Sequence, residues 1–249
     1  MAKRPFIPSP SASDSGLDSL NVNPLGEKSR TLIERAYLQL RKDIIDGELL
    51  PNEKLRVEHL KDRYAVGAGT LREAMSRLVS DALIVAEGQR GFRVAPITMA
   101  DLEDITNTRI HLEIEALRHS IRNGGQSWRE KLKVIYDELT SIEQTIVPER
   151  MEEWESLNAR FHSTLIEGHG SAWTLKLLEM LSRHSERYRR YSIGLDQKGR
   201  DVHAEHEDIF INAIAGNELR AALALESHVR ATYELLKKSL FNGTDVFSR

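Results

Sequence analysis

The tightest constraint on this chain is a reversal between two amphipathic segments. Residues 65–78 read Ala-Val-Gly-Ala-Gly-Thr-Leu-Arg-Glu-Ala-Met-Ser-Arg-Leu. Two glycines stand where the chain turns, and Leu71, Met75 and Leu78 follow at helical spacing. Those apolar side chains face a core, which leaves Arg72, Ser76 and Arg77 on the polar face. Residues 57–64 supply the preceding helix. Downstream, residues 83–86 and 91–95 are short apolar or alternating runs around the polar residues 87–90, the pattern of a hairpin. Helix, turn, helix and a two-stranded ribbon with a basic tip make a winged helix-turn-helix, whose second helix lies in the DNA major groove. The candidate DNA contacts are Arg56, Gly69, Thr70, Arg72, Ser76 and Arg77 from the helices. Gln89, Arg90 and Gly91 join them from the wing.

At these residues the chain resembles the reader head of GntR-type bacterial transcription regulators. The stretch 47–55, the Arg72-Glu73-Ala74 turn and Gly91-Phe92-Arg93-Val94 carry the likeness over about 70 residues. The chain departs from the family at Gly67-Ala68-Gly69-Thr70, where Ser-Arg-Thr-Pro is usual. One familiar arginine is therefore missing; Arg72 remains, and Arg56 is placed to take over phosphate binding.

With 249 residues, the chain has room for a second domain beyond this head. The expected division is a disordered arm over 1–26, the head over 27–97 and an all-α domain over 98–249. Some 40% of residues are apolar and 29% charged, enough to bury a core. Cysteine is absent, which excludes disulfides and thiolate metal sites. No apolar run approaches the roughly 20 residues of a membrane span, and no signal core follows Lys3 and Arg4, so a cytoplasmic location is expected. The net charge of −3 combines a slightly basic head with an acidic remainder, the distribution of a protein that touches DNA locally.

A helix is expected from Ser29 to about Asp46, with Leu32, Ala36, Leu40 and Ile44 on one face and Gly47 as its stop. Beyond Thr98 strand signals vanish. The helices predicted there span 98–123, 127–146, 148–167, 171–192, 198–215 and 218–241, punctuated by glycine. The fold class is mainly α: a winged head followed by an antiparallel helical bundle.

Within that bundle Asn158 and His162 lie four residues apart, on one helical face that continues into apolar Leu165. His206 and His228 belong to two further helices. Three imidazoles and an amide oxygen suit a divalent ion such as zinc, with nickel, iron or manganese also compatible. Any single histidine in such a pattern is more often a core or surface residue bonded to a backbone carbonyl. Residues 158–162, Glu205-His206 and His228 resemble the FCD effector domain of the FadR and VanR branches of the GntR family. The resemblance implies metal ligation by Asn158, His162, His206 and His228, with Asn158 standing where Asp is usual. It also implies an effector-binding arginine at Arg109, which could instead pair with Glu113 one turn along. Arg187 and Tyr188 are further candidates for the effector pocket, against a solvated helix face. His203 is an alternative ligand, while His111, His119, His169 and His184 read as ordinary polar positions.

The function expected is a homodimeric, ligand-responsive repressor that binds double-stranded operator DNA and senses a small organic acid. Residues 49–56 and 88–94 lean toward the carbon-starvation branch of the family, which implies a short dicarboxylate. Two alternatives stand beside it. One is a histidine-ligated metalloenzyme, a hydrolase with an accessory winged domain; the other is a protein–protein adaptor.

Overall fold

The computed structural model describes residues 31–143, 150–193 and 200–241. The expected arm over 1–26 lies outside them.

The head begins with α1 (Leu32–Ile45). The Thr31 hydroxyl accepts from the Glu34 amide at 3.2 Å, and Ala36, Leu40 and Ile44 form the buried stripe. Gly47, at φ +81°, then turns the chain, a conformation that costs glycine little. β1 (Lys54–Leu55), α2 (Val57–Arg63), α3 (Ala68–Ser80), β2 (Ile84–Ala86) and β3 (Phe92–Val94) follow. The sheet is antiparallel in the order β1-β3-β2, with Leu55 opposite Phe92 and Ile84 opposite Val94. The wing is thus three strands rather than a two-stranded ribbon. A two-residue strand is too short to show periodicity, and only its pairing with β3 reveals β1. The wing tip is a short 3-10 turn over Gly88–Arg90.

The glycines between α2 and α3 have a different role from the one the sequence suggests. The left-handed residue of the turn is Ala65, at φ +51°, whereas Gly67 is extended and caps α3. Gly69 sits inside α3, and a Cβ on it would meet no atom within 4 Å. Gly67 and Gly69 therefore keep the first turn of α3 bare rather than enabling the bend. Leu71, Ala74, Met75 and Leu78 anchor the helix to Leu40, Leu83 and Val94 in the head's core.

The body is helical throughout the described residues. It comprises α4 (Met99–Asn123), α5 (Gly125–Glu143), α6 (Met151–Glu167), α7 (Ala172–Ile193), α8 (Val202–Ile214) and α9 (Glu218–Phe241). Thr98 caps α4 by accepting from the Asp101 amide at 3.1 Å. α5 starts at Gly125, two residues before the predicted 127, and Gly124 packs so closely on Trp128 that a Cβ would lie 2.7 Å from its ring. The predicted extensions to 146 and from 198 run into undescribed residues. α6 is described from Met151, the predicted start at 148 lying outside the described residues, and α8 begins at Val202, where Asp201 accepts from the Ala204 amide at 3.0 Å. Leu117, Leu132, Leu139, Phe161, Leu165, Ile209 and Leu225 fill the bundle's core.

Head and body meet along α7. The hydroxyl of Tyr37 and the Nη1 of Arg183 both donate to Asp81, at 2.6 and 3.3 Å, and the His184 Nε2 reaches the Asp81 carbonyl at 2.7 Å. Asp81 is the C-cap of α3, so one end of the reading helix is fastened to the body. Arg41 of α1 adds an ion pair with Glu186 at 2.6 Å.

Candidate functional sites in the head and the bundle

On the head, α3 turns Arg72, Ser76 and Arg77 outward while its other face is buried. The Ser76 hydroxyl donates to the Arg72 carbonyl at 2.9 Å, and Arg77 lies 3.7 Å from Glu73. Arg72 lies near Glu58. Thr70 is partly exposed near the helix start, and Arg56 is exposed as the N-cap of α2. At the wing, Arg90 is exposed and Gly91 adopts φ +96°; the Gln89 side chain lies outside the description. Arg93, the second residue of β3, is not available to DNA in the same way. Its Nε donates to Glu87 at 2.7 Å and its Nη1 to the Asn52 carbonyl, which ties the wing to the head. The exposed cations and the bare N-terminal turn of α3 form a surface suited to phosphates and base edges.

In the bundle, α6, α8 and α9 bring His162, His206 and His228 together. One ring nitrogen from each lies within 4.8 Å of the others. Ring centroids are 5.4 Å apart for His162–His206, 4.9 Å for His162–His228 and 4.6 Å for His206–His228. The outer nitrogens are held by carboxylates. The His206 Nδ1 donates to Glu143 Oε1 and the His228 Nδ1 to Glu205 Oε2, each at 2.7 Å. Such bonds fix the tautomer and leave Nε2 with its lone pair, the arrangement found behind metal-ligating histidines. The His206 Nε2 and the His162 Nδ1 are buried without a hydrogen-bond partner, an uncommon state for interior polar atoms. Burial holds the His162 and His228 rings well below the usual histidine range, and the neighbouring rings and arginines push the same way. Both are therefore neutral near pH 7, the form that ligates metal. These residues fit a divalent ion.

Asn158, one turn before His162, is buried and lines the adjoining cavity of about 220 Å³ with Arg109, Arg189, Arg200 and His228. Arg109 makes the Glu113 pair that the sequence left open. It pairs with Glu113 at 2.7 Å, with both groups buried, and it faces the cavity. Arg187 and Tyr188 do not line the cavity. Arg187 donates to the Ala95 carbonyl at 3.1 Å, and the Tyr188 hydroxyl donates to Asp101 at 2.7 Å, so both join α7 to the start of the body. Successive helical residues point about 100° apart, and the cavity face of α7 is Ser185, Arg189 and Ser192. Arg189 and Arg200 escape the sequence reading, although the i, i+4, i+7 spacing of the α7 trio would have marked one face. His203 lies 3.4 Å from Glu143 and outside the triad. His111 and His184 bond to backbone carbonyls at 2.7 Å, and His119 lies 3.1 Å from Glu115.

A wider groove of about 910 Å³ runs between α1 and the α6–α7 pair. Its charged walls are largely paired with each other, as in Arg41–Glu186, Arg189–Glu155 and Lys42–Glu152. It shares His162 and Arg189 with the smaller cavity.

A winged helix-turn-helix head joined to an all-helical domain is the architecture of a DNA-binding transcription regulator. Residues 32–94 match the family model of bacterial regulatory proteins, gntR family, and residues 104–231 match the FCD domain. The chain is 36% identical over 212 residues to BphR, an uncharacterized HTH-type transcriptional regulator of Paraburkholderia xenovorans, covering 84% of this chain and 86% of that one. It is 31% identical over 209 residues to the HTH-type transcriptional repressor GlaR of Escherichia coli, covering 82% and 95%. The solved structure of E. coli McbR/YncC shares the fold, with a TM-score of 0.68, 17% identity and coverage of 85% and 100%. The chain belongs to the GntR family of transcription regulators, in the branch that carries an FCD domain. It is a DNA-binding regulator and not an enzyme, which removes the hydrolase reading. No helix among the described residues is long and apolar enough to cross a membrane.

Proposed function

We propose that this chain is a homodimeric repressor that holds a divalent metal ion on Asn158, His162, His206 and His228 and senses a small carboxylate there. The observation that carries the reading is the convergence of three imidazoles, two of which, His162 and His206, hold a buried nitrogen without a hydrogen-bond partner. Zinc suits this donor set best, with nickel or manganese as the other candidates. The ion would supply a positive anchor for the acid. Arg109 and Arg189 flank the same space and orient the carboxylate, whereas Arg187 and Tyr188 bond to Ala95 and Asp101 outside the cavity lining. A volume of about 220 Å³ admits only a small molecule, and the likeness of residues 49–56 and 88–94 to carbon-starvation regulators supports a short dicarboxylate.

Arg56, Thr70, Arg72, Ser76, Arg77 and the wing residues Gln89, Arg90 and Gly91 form the proposed operator contacts, with Gly69 leaving room for the phosphate backbone. Two heads related by a two-fold axis would meet half-sites about one helical turn apart. A signal passes along α7. One face of that helix lines the cavity, and its neighbouring residues Arg183 and His184 grip the C-cap of α3. An acid that favours one position of α7 thereby favours one placement of the reading helix. Asp81→Ala is expected to leave metal content unchanged and to shrink the acid's effect on operator affinity, out of a coupling of about 1–3 kcal/mol. Fluorescence anisotropy of an operator duplex, with and without acid, measures this; full retention of the acid response would remove Asp81 from the route.

The neutral Asn158 makes a second expectation. Asn158→Asp should tighten metal binding and weaken the acid's binding, each by about tenfold, since the new carboxylate offsets the charge that attracts the acid. Calorimetric titration of both ligands into both proteins checks it. An Asp variant that binds the acid as tightly as wild type would show that the ion's charge does not recruit the effector.

A further inference from the structure

We infer that Glu143 supplies the negative charge of the metal centre from behind His206, in place of the carboxylate that Asn158 does not offer. The inference rests on the metal reading above and assigns a positioning and charge-balancing role to a residue that is not itself a ligand. Three imidazoles and an amide leave a divalent ion with its full charge in a buried cavity, which is costly without a nearby anion. The carboxylates beside the cavity offer no surplus negative charge, because each is already paired with an arginine. Arg109 pairs with Glu113 at 2.7 Å, Arg189 with Glu155 at 2.6 Å and Arg200 with Glu205 at 3.0 Å.

Glu143 is the exception. Its side chain is 1% exposed, and it pairs with no lysine or arginine among the described residues. Its donors are the His206 Nδ1 at 2.7 Å and the Trp154 Nε1 at 3.0 Å, both on Oε1. The partly exposed His203 lies at 3.4 Å from Oε2, a long contact. A buried carboxylate held only by ring N–H groups lacks a cation, and a metal ion on the far side of His206 lacks an anion. One imidazole separates the two, so each offsets the burial cost of the other. The same hydrogen bond aims the His206 Nε2 at the convergence point of the three rings.

The test moves the charge rather than only deleting it. Zinc affinity is measured on metal-stripped full-length protein by competition with a chromophoric chelator, for wild type, Glu143→Gln, Asn158→Asp and the double variant. Glutamine keeps an oxygen that can accept from His206 but carries no charge. E143Q is expected to weaken zinc about 10–100-fold. Adding N158D to E143Q is expected to recover most of that loss, because it restores one carboxylate to the centre. Glu143→Asp, which keeps the charge, should lose less than E143Q, and it carries the comparison if E143Q folds poorly by circular dichroism. Wild-type affinity in E143Q would overturn the inference. So would a loss that N158D fails to recover, which would leave Glu143 as a structural support alone. A wild type that takes up no zinc, nickel or manganese would instead overturn the metal reading beneath it.

Discussion

His228→Ala is expected to reduce bound metal from one equivalent per chain to none, and His206→Ala to do the same. Binding of a divalent ion by three imidazoles and one amide depends on every strong donor, and structural zinc sites of four ligands are worth about 10–16 kcal/mol in all. Removing one imidazole leaves two, which lowers affinity by orders of magnitude. The two variants differ in their side effects. The His206 ring is fully buried against Phe161, 5.2 Å between ring centroids, and it satisfies Glu143. Its loss leaves both a void and a buried carboxylate short of a donor, so stability falls by about 2–5 kcal/mol as well. The His228 side chain is 11% exposed, and its truncation should be milder. His228→Ala is therefore the cleaner probe. Elemental analysis of folded, purified protein decides the matter, and a full equivalent of metal in H228A would return the histidines to the role of core residues.

Arg72→Ala is expected to weaken operator binding by about 1–3 kcal/mol if the side chain reads a guanine edge. Arg72 is exposed on α3, near Glu58, and sits one turn from the bare start of the helix. A phosphate contact gives a different signature: affinity drops alike on all duplexes, and the slope of log affinity against log salt shrinks by about one. Arg90 at the wing tip should show that second signature. Anisotropy titrations on operator and scrambled duplexes at several salt concentrations separate the two. Wild-type affinity in a folded R72A would remove the residue from the interface.

The head was legible because each of its elements follows one rule. Apolar spacing marks α1 and α3, and alternation around a polar tip marks the wing. The reversal was legible as a position but not as a geometry, since nothing in the sequence shows that Ala65 rather than a glycine takes the left-handed turn. β1 was hidden because two residues carry no period. In the bundle, Asn158 and His162 declare themselves by sharing a helical face. The spacing of Ser185, Arg189 and Ser192 marks one face of α7, but not whether that face or the one with Arg187 meets the cavity. α7 is polar on more than one side, facing the head with some residues and the cavity with others, so no single apolar stripe fixes its rotation. Glu143 is 63 residues from the histidine it supports, and only the packing of α5 against α8 brings them together.

The most direct test of the proposed regulator is operator affinity measured four ways: metal-stripped or zinc-loaded protein, each with and without a short dicarboxylate. Coupling between ligands is reciprocal, so the acid should change operator affinity severalfold in zinc-loaded protein and have little effect once the metal is stripped. An acid response of equal size in both forms would contradict a metal-anchored sensor.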